Sequence, residues 1–507
     1  VIIETLIAVT FVSAVVVALA PDEWAGRLAF ALSLLPFVGS LYMWSQFEAA
    51  GNALTGGGIA FETQIDWLEV GGYTLQWFVG VDGISMPLLV LTTFLVPLAI
   101  LSAWTPISDR ISQFYALLLF MEANLLGVFT ALDFFVWFIF WEAVLVPMYF
   151  LIGVWGGPRR KYAAIKFFAY TNLASLVMFI GFMALVFALP VETFGMPAIT
   201  AALAAGEVEA FYGIAPDAIR LFAFLALFVG FAVKVPMVPF HTWLPDAHVE
   251  APTPVSVLLA GVLLKMGTYA LLRFNFTMLP EEATALAVPI AAIAVVSVIY
   301  GAMLALAQQD LKRIVAYSSV SSMGYVILGL IAFTEYGVGG ATFQMVAHGL
   351  ISGLMFMAVG VVYNATHTRM VSDMSGMADR MPVAVGILVA GAFAYMGLPL
   401  MAGFAGEFFI FVGSFGSPVA GGLMPLFTAA AMFGIVIVAG YLLLAMQKTL
   451  FGPFSLATDY EVGRAPVRDV APLMALLGAI ILLGVAPDLF FEMIRDAVAD
   501  VVAGGVN

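Results

Sequence analysis

Six ionisable side chains stand inside apolar runs of this sequence, where a packed interior gains nothing from them. Lys234 follows Val229 to Val233, and Lys265 follows Val257 to Leu264. Glu122 lies between Phe120 and Leu125, Glu142 within FIFWEAVLVP and Glu407 within AGFAGEFFIF. His348 falls near the middle of the apolar stretch 337–363. Apolar residues of similar volume would pack as well or better in these places, and a charge at the centre of a membrane helix costs roughly 2.5–3.5 kcal/mol on insertion scales. Burial disfavours the charged form of an amine and of a carboxyl group alike, which brings both towards proton exchange with internal water near neutral pH. The chemistry these residue types offer is proton transfer. The plainer alternative is a set of inter-helix ion pairs that only fix packing. Glu142 and Lys234 form the most useful pair: side by side, each favours the other's charge, and separation leaves a buried cation that tends to release its proton. Sequence gives no distance between them.

The elements that must position these groups are membrane spans. Average proteins carry about 25% charged residues; this chain of 507 residues carries 10%, against 63% hydrophobic. Apolar runs near the ~20 residues that cross a bilayer fall at 2–20, 27–46, 82–104, 112–130, 133–154, 161–189, 218–245, 252–275, 284–307, 312–333, 337–363, 382–412, 424–449 and 469–490. The fold class is thus an all-α polytopic membrane protein of about fourteen transmembrane helices, a single membrane domain over 1–507. The basic residues test the count. With the N-terminus outside, the inner loops hold Arg27, Arg110, Arg159, Arg160, Lys161, Lys312, Arg313, Arg369, Arg380, Lys448, Arg464 and Arg468, and the outer loops only Arg220, Arg273 and Arg495. A miscounted span would scramble that alternation. Both termini are then expected on the outer side.

No early apolar run carries a basic leader and a small-residue cleavage site, so no signal peptide is expected. Cysteine is absent, which excludes disulfides, cysteine-held iron–sulfur clusters and thiol chemistry in this chain. A net charge of −14 speaks against nucleic acid as a partner. In the outer segment 47–81, the alternation of Phe61, Ile65, Trp67, Leu75 and Trp77 about Gly71-Gly72 predicts a short β-hairpin.

Two spans are interrupted. Pro236 and Pro239 follow Lys234 directly and Pro245 comes soon after; Gly397-Leu398-Pro399 and Gly403 precede Glu407. Proline removes a backbone donor and clashes with the preceding turn, and breaks of this kind are tolerated in membranes where the backbone lines a polar cavity. Interrupted spans at corresponding places in two halves point to an ion site. These are the seventh and twelfth, so spans four to eight (112–275) and nine to thirteen (284–449) would form two five-helix repeats, the second inverted by the odd number of crossings. Among the remaining polar residues, Lys166 is expected to snorkel to the inner interface. Asp246 and Glu250 are expected to cap the helix that starts at Thr253-Pro254, and His248 to be a satisfied interfacial histidine. Ser318, Ser319, Ser321 and Ser322 would either bond water or let helices pack closely.

The unbroken run KVPMVPFHTWLPDAHVEAPTPVSVLLAGVLLK from Lys234 to Lys265 closely resembles the signature of the antiporter-like membrane subunits of respiratory complex I and of their Mrp antiporter relatives. FWEAVLVPMYFLIGVWG around Glu142 and LPLMAGFAGEFFIF around Glu407 resemble the same family, and the likeness runs along essentially the whole chain. The resemblance implies a Glu142/Lys234 pair, a central Lys265, a terminal Glu407, and His241 and His348 linking a hydrated axis. Glutamate at position 407 favours the M-type subunits, since the L- and N-type subunits and the Mrp proteins usually carry lysine there. The short tail agrees, because the L-type adds a long lateral helix. It further implies a bacterial inner-membrane subunit that moves protons from cytoplasm to periplasm along Glu142, Lys234, Lys265, His348 and Glu407. It would hold no cofactor itself, with FMN, iron–sulfur clusters and quinone in partner subunits, and L- and N-type subunits beside it.

Other readings make different demands. An Mrp-type cation/proton antiporter or membrane-bound hydrogenase subunit would share the fold; Glu407 argues against the first. A haem-bearing oxidase subunit needs histidines deep in facing helices, and of only four histidines His348 alone lies centrally. A static scaffold would tolerate loss of Lys234 or Glu142.

Overall fold

The spans form because long apolar runs must satisfy their backbone groups internally, and helices do so within each segment. The structure, a computed structural model, describes residues 1–506. It contains 13 helices long and apolar enough to cross a membrane. A further crossing is built from two shorter apolar helices, Pro382–Tyr395 and Ala402–Phe415, which brings the total to the fourteen expected. Several starts are fixed by side-chain caps. Asp133 accepts from the N–H groups of Phe135 and Val136 at the head of the fifth span, Phe134–Trp155. Asp310 accepts from Lys312 and Arg313 at the head of the tenth, Leu311–Ile331, and Thr334 from Gly337 at the head of the eleventh, Glu335–Thr366.

The spans are not equivalent in the bundle. The eighth, Thr253–Thr277, and the eleventh are wholly enclosed, whereas the first two and the last present most of their surface outward. The eighth is the only one among the described residues that alternates α-helix with π-helical turns, Leu259–Leu263 and Leu271–Thr277, on either side of Lys265. Both predicted interruptions are present. The seventh span runs as helix over Pro216–Lys234, breaks through Pro236 and Pro239, and resumes at Trp243–Glu250. The twelfth breaks between Tyr395 and Ala402. Being five crossings apart, the two broken spans traverse the bundle in opposite senses.

The hairpin is present too: β1 (Ala60–Val70) pairs antiparallel with β2 (Tyr73–Val81) around Gly71-Gly72. One element was not expected. The residues after the last span form an amphipathic helix, Asp488–Val506, that buries Phe490, Phe491, Ile494, Ala497, Val498 and Val501 against the bundle. Thr55, in the segment before the hairpin, donates to Asp500 of this helix at 2.7 Å.

Candidate functional site

Lys234 is the last helical residue before the seventh-span break. Its side chain is 2% exposed, and its amine has no hydrogen-bond partner among the described residues. The ammonium faces the ring of Trp141 at 5.0 Å and that of Phe167 at 6.0 Å, contacts that attract a cation through the ring quadrupole. Across the break, the Trp243 indole donates to the Val233 carbonyl at 2.8 Å, and the Val238 N–H donates to Ser297 at 3.1 Å. The freed backbone groups are thus partly re-satisfied from both sides.

Glu142 lies next to Trp141, where the helical hydrogen bonding of the fifth span is interrupted at Val144 and where Pro147 supplies no N–H for the Ala143 carbonyl. The sequence reading placed Glu142 deep, and the family resemblance implied a pair with Lys234. It is half-buried, and one carboxylate oxygen accepts from Asn172 at 3.1 Å while the other has no partner. No direct ion pair with Lys234 forms. Glu122, one span earlier, is fully buried with both oxygens unpartnered.

Lys265 is held differently. It is fully buried between the two π-helical stretches, and its amine donates to the Ala260 carbonyl and meets His348 Nδ1 at 2.6 Å. His348 Nε2 in turn meets the Tyr395 hydroxyl at 2.9 Å, which lies 3.3 Å from the Ser319 hydroxyl. Sequence reasoning expected His348 to reach Glu407 through water; the structure gives it a direct tyrosine partner that the sequence reading passed over. Glu407 is buried in the second half of the twelfth span, with a carboxylate oxygen against Gly397. Lys234 and Lys265 belong to neighbouring elements: a methyl added at Gly267 would sit 3.2 Å from Lys234 Cβ, so only glycine permits that approach.

Several sequence assignments are corrected. Arg273 is not in an outer loop. The eighth span extends to Thr277, and the Arg273 guanidinium is buried there, donating to both oxygens of Asp82 at 2.7 and 2.6 Å and to Asn52 at 3.0 Å. Lys312 is not a loop residue either; it is buried and donates to the Ala251 carbonyl. Asp246 and Glu250 do not cap the next helix, which starts after Pro252 without a side-chain cap. Asp246 instead pairs with Lys166 at 2.7 Å and Arg313 at 3.4 Å, so Lys166 is tied down rather than reaching freely for the interface. Glu250 accepts from the Arg159 N–H at 2.8 Å. His248 is not interfacial: it is fully buried and stacked on Phe356 at 4.3 Å, with neither ring nitrogen bonded. His241 is buried near Tyr300 and Tyr317, its Nδ1 unpartnered. Of the serines, Ser321 bonds the Val298 carbonyl at 2.8 Å and serves close packing, whereas Ser319 faces Tyr395.

At the end of the bundle opposite the hairpin lies a cavity of about 280 Å³, lined by Trp155, Glu250, Lys312, Tyr363, Asn364 and Arg369 among others. It adjoins the half of the seventh span that carries His248. Buried titratable groups thus sit in several spans: Lys265, His348 and Tyr395 are joined by direct bonds, whereas Lys234, Glu122 and His248 carry atoms without a partner among the described residues.

Residues 131–437 match the family model described as NADH:quinone oxidoreductase/Mrp antiporter, TM, and residues 59–130 match NADH-ubiquinone oxidoreductase chain 4, amino terminus. The chain is 38% identical to NAD(P)H-quinone oxidoreductase chain 4 3 of Trichormus variabilis, over 97% of this chain and 89% of that one. It is 37% identical to F(420)H(2) dehydrogenase subunit M of Methanosarcina mazei, over 95% and 94%. To NADH-quinone oxidoreductase subunit M of Rhodobacter capsulatus it is 38% identical, over 95% and 91%. A chain of the respiratory complex I of Thermus thermophilus superposes with a TM-score of 0.87 at 26% identity, covering 100% of both chains.

Proposed function

The chain belongs to the NADH:quinone oxidoreductase/Mrp antiporter family as an antiporter-like membrane subunit of the M, or chain 4, type, and on that premise we propose that it translocates protons for its complex. The direction is from the end bearing the 280 Å³ cavity, the cytoplasmic side, to the hairpin end, the periplasmic side. The single observation that carries this reading is the fully buried Lys265 amine bonded to His348 in the middle of the bundle. Apolar residues would pack as well in that place, and a buried amine is costly inside a membrane.

In this reading Lys234 holds or releases its proton according to where the Glu142 carboxylate stands. The half-burial of Glu142 and its single bond to Asn172 support a carboxylate able to move. Lys265 and His348 form the central relay, Glu407 hands the proton to the exit, and Glu122 and His241 are lateral members of the path. Lys312 and His248 line the route inward from the cavity. The five-helix groups 112–275 and 284–449 act as inverted repeats, each contributing one broken span. The chain does no redox chemistry. Electrons pass through partner subunits that hold FMN, iron–sulfur clusters and quinone, and L- and N-type subunits flank this one in a bacterial inner membrane. The likeness to an F(420)H(2) dehydrogenase subunit fits a chain whose role is independent of the electron donor.

The experiment is proton release in closed vesicles carrying the purified complex, started by NADH in sodium-free buffer. Acidification that persists without sodium and falls about tenfold or more in Lys234→Ala, in line with the loss of a positioned proton carrier, is expected. A complex that moves protons only against a sodium gradient, and shows no flavin absorbance, would instead be an Mrp-type antiporter.

A further inference from the structure

Tyr395 ends the first half of the twelfth span and is 5% exposed. Packing alone does not call for its hydroxyl, because phenylalanine fills the same space. The hydroxyl bonds His348 Nε2 at 2.9 Å and Ser319 at 3.3 Å, so it joins the eleventh, tenth and twelfth spans at one atom. Two residues further on, Gly397 adopts φ +69°. A methyl there would lie 2.7 Å from Glu407 Oε2, so the carboxylate rests directly against the break that Tyr395 borders. Leu400 takes a second left-handed conformation, φ +70°, in the same segment. Non-glycine residues are strained there, and such outliers gather at active sites and switch regions.

We propose that Tyr395 is a further proton-relaying residue, its hydroxyl passing protons from His348 to Glu407 across the twelfth-span break. The inference rests on the proton-translocation reading above. The step balances as follows. The Lys265 ammonium gives a proton to His348 Nδ1 while the Nε2–H bond breaks and that proton joins the Tyr395 oxygen. In the same concerted step the former O–H proton of Tyr395 passes to a carboxylate oxygen of Glu407, which rotation at Gly397 has already brought to the hydroxyl, so the tyrosine oxygen never carries two protons. Lys265 ends neutral, Glu407 ends protonated, and His348 and Tyr395 keep their charge, His348 in its other tautomer. Ser319 holds the hydroxyl in line between transfers.

The test uses the whole complex in closed vesicles, with Tyr395→Phe beside Lys265→Ala and the parent. Expected for Tyr395→Phe is unchanged NADH oxidation by an artificial electron acceptor, showing assembly, with NADH-driven proton release slowed about tenfold or more. Incorporating 3-fluorotyrosine at position 395 keeps the volume and the hydroxyl but changes its acidity. It is expected to assemble and to alter the solvent deuterium isotope effect on proton release, which a hydroxyl that merely braces the helix would leave alone. If Lys265→Ala stops release while both position-395 variants behave as the parent, the assignment of Tyr395 is overturned and the parent reading stands. Release unaffected by Lys265→Ala overturns the parent reading itself. Should Tyr395→Phe fail to assemble, the fluorotyrosine isotope effect decides alone, an unchanged value overturning the assignment.

Discussion

Lys234 and Lys265 are the same residue type at similar depth, yet their surroundings differ in kind. The first looks onto aromatic faces with no protein acceptor, and the second is fastened to a carbonyl and a histidine. A third buried cation, Arg273, shows what a structural pair looks like: two bonds to Asp82, one to Asn52 and the Tyr269 ring 5.1 Å away. Asp82 is further satisfied by the backbone N–H groups of Ala53, Ile84 and Ser85. Breaking such a pair leaves an uncompensated buried charge, which costs about 3–5 kcal/mol. Asp82→Asn is therefore expected to lower the thermal unfolding temperature of the complex clearly, whereas the double replacement Asp82→Leu with Arg273→Met is expected to restore most of it; equal losses from the single and double variants would contradict this. The lone charges were legible in the sequence because each interrupts an apolar run. Tyr395 was not, since a tyrosine in such a run looks like filler until its hydroxyl is seen to have two partners. Arg273 was misplaced for a related reason, as it stands at a span's edge where a loop is the simpler assumption.

At the scale of elements, the two breaks place the chemistry. Proline and glycine announce them, and both fall where the sequence put them, one just after Lys234 and the other just before Glu407. The π-helical stretches around Lys265 carry no such signal, because no residue type is specific to them. The terminal helix Asp488–Val506 escaped for a different reason: its apolar face is too narrow to read as a span. Gly397 offers a direct test. Alanine there must accept a left-handed conformation, at about 1 kcal/mol, and its methyl would press on Glu407. Gly397→Ala is expected to assemble and to slow NADH-driven proton release severalfold. Gly386→Ala, in the helical half of the same span with open space around the added methyl, is expected to leave release unchanged. Equal behaviour of the two variants would remove the break from the mechanism.

For the whole molecule, the bundle sets the enclosed eighth and eleventh spans at its centre and the first, second and fourteenth at its rim. The basic loops gather at the end opposite the hairpin, the end proposed above to face the cytoplasm. Because the chain has no cysteine, single introduced thiols report orientation cleanly. Asp459→Cys is expected to react with a membrane-impermeant maleimide only from the cytoplasmic side, and Gly71→Cys only from the periplasmic side; the reverse pattern would invert the proposed direction of transport. The orientation rests on charge asymmetry, which acts during insertion, independently of tertiary detail. The burial of Lys312 and His248 was not legible in the sequence, because it depends on how the second half of the seventh span packs.

The central claim is that a proton crosses this subunit through Lys265. The measurement that tests it most directly is the rate of NADH-driven proton release by the Lys265→Ala complex in closed vesicles, taken beside NADH oxidation by an artificial acceptor. Release reduced about tenfold or more with acceptor reduction intact is the expected result. Release at the parent rate would contradict the account.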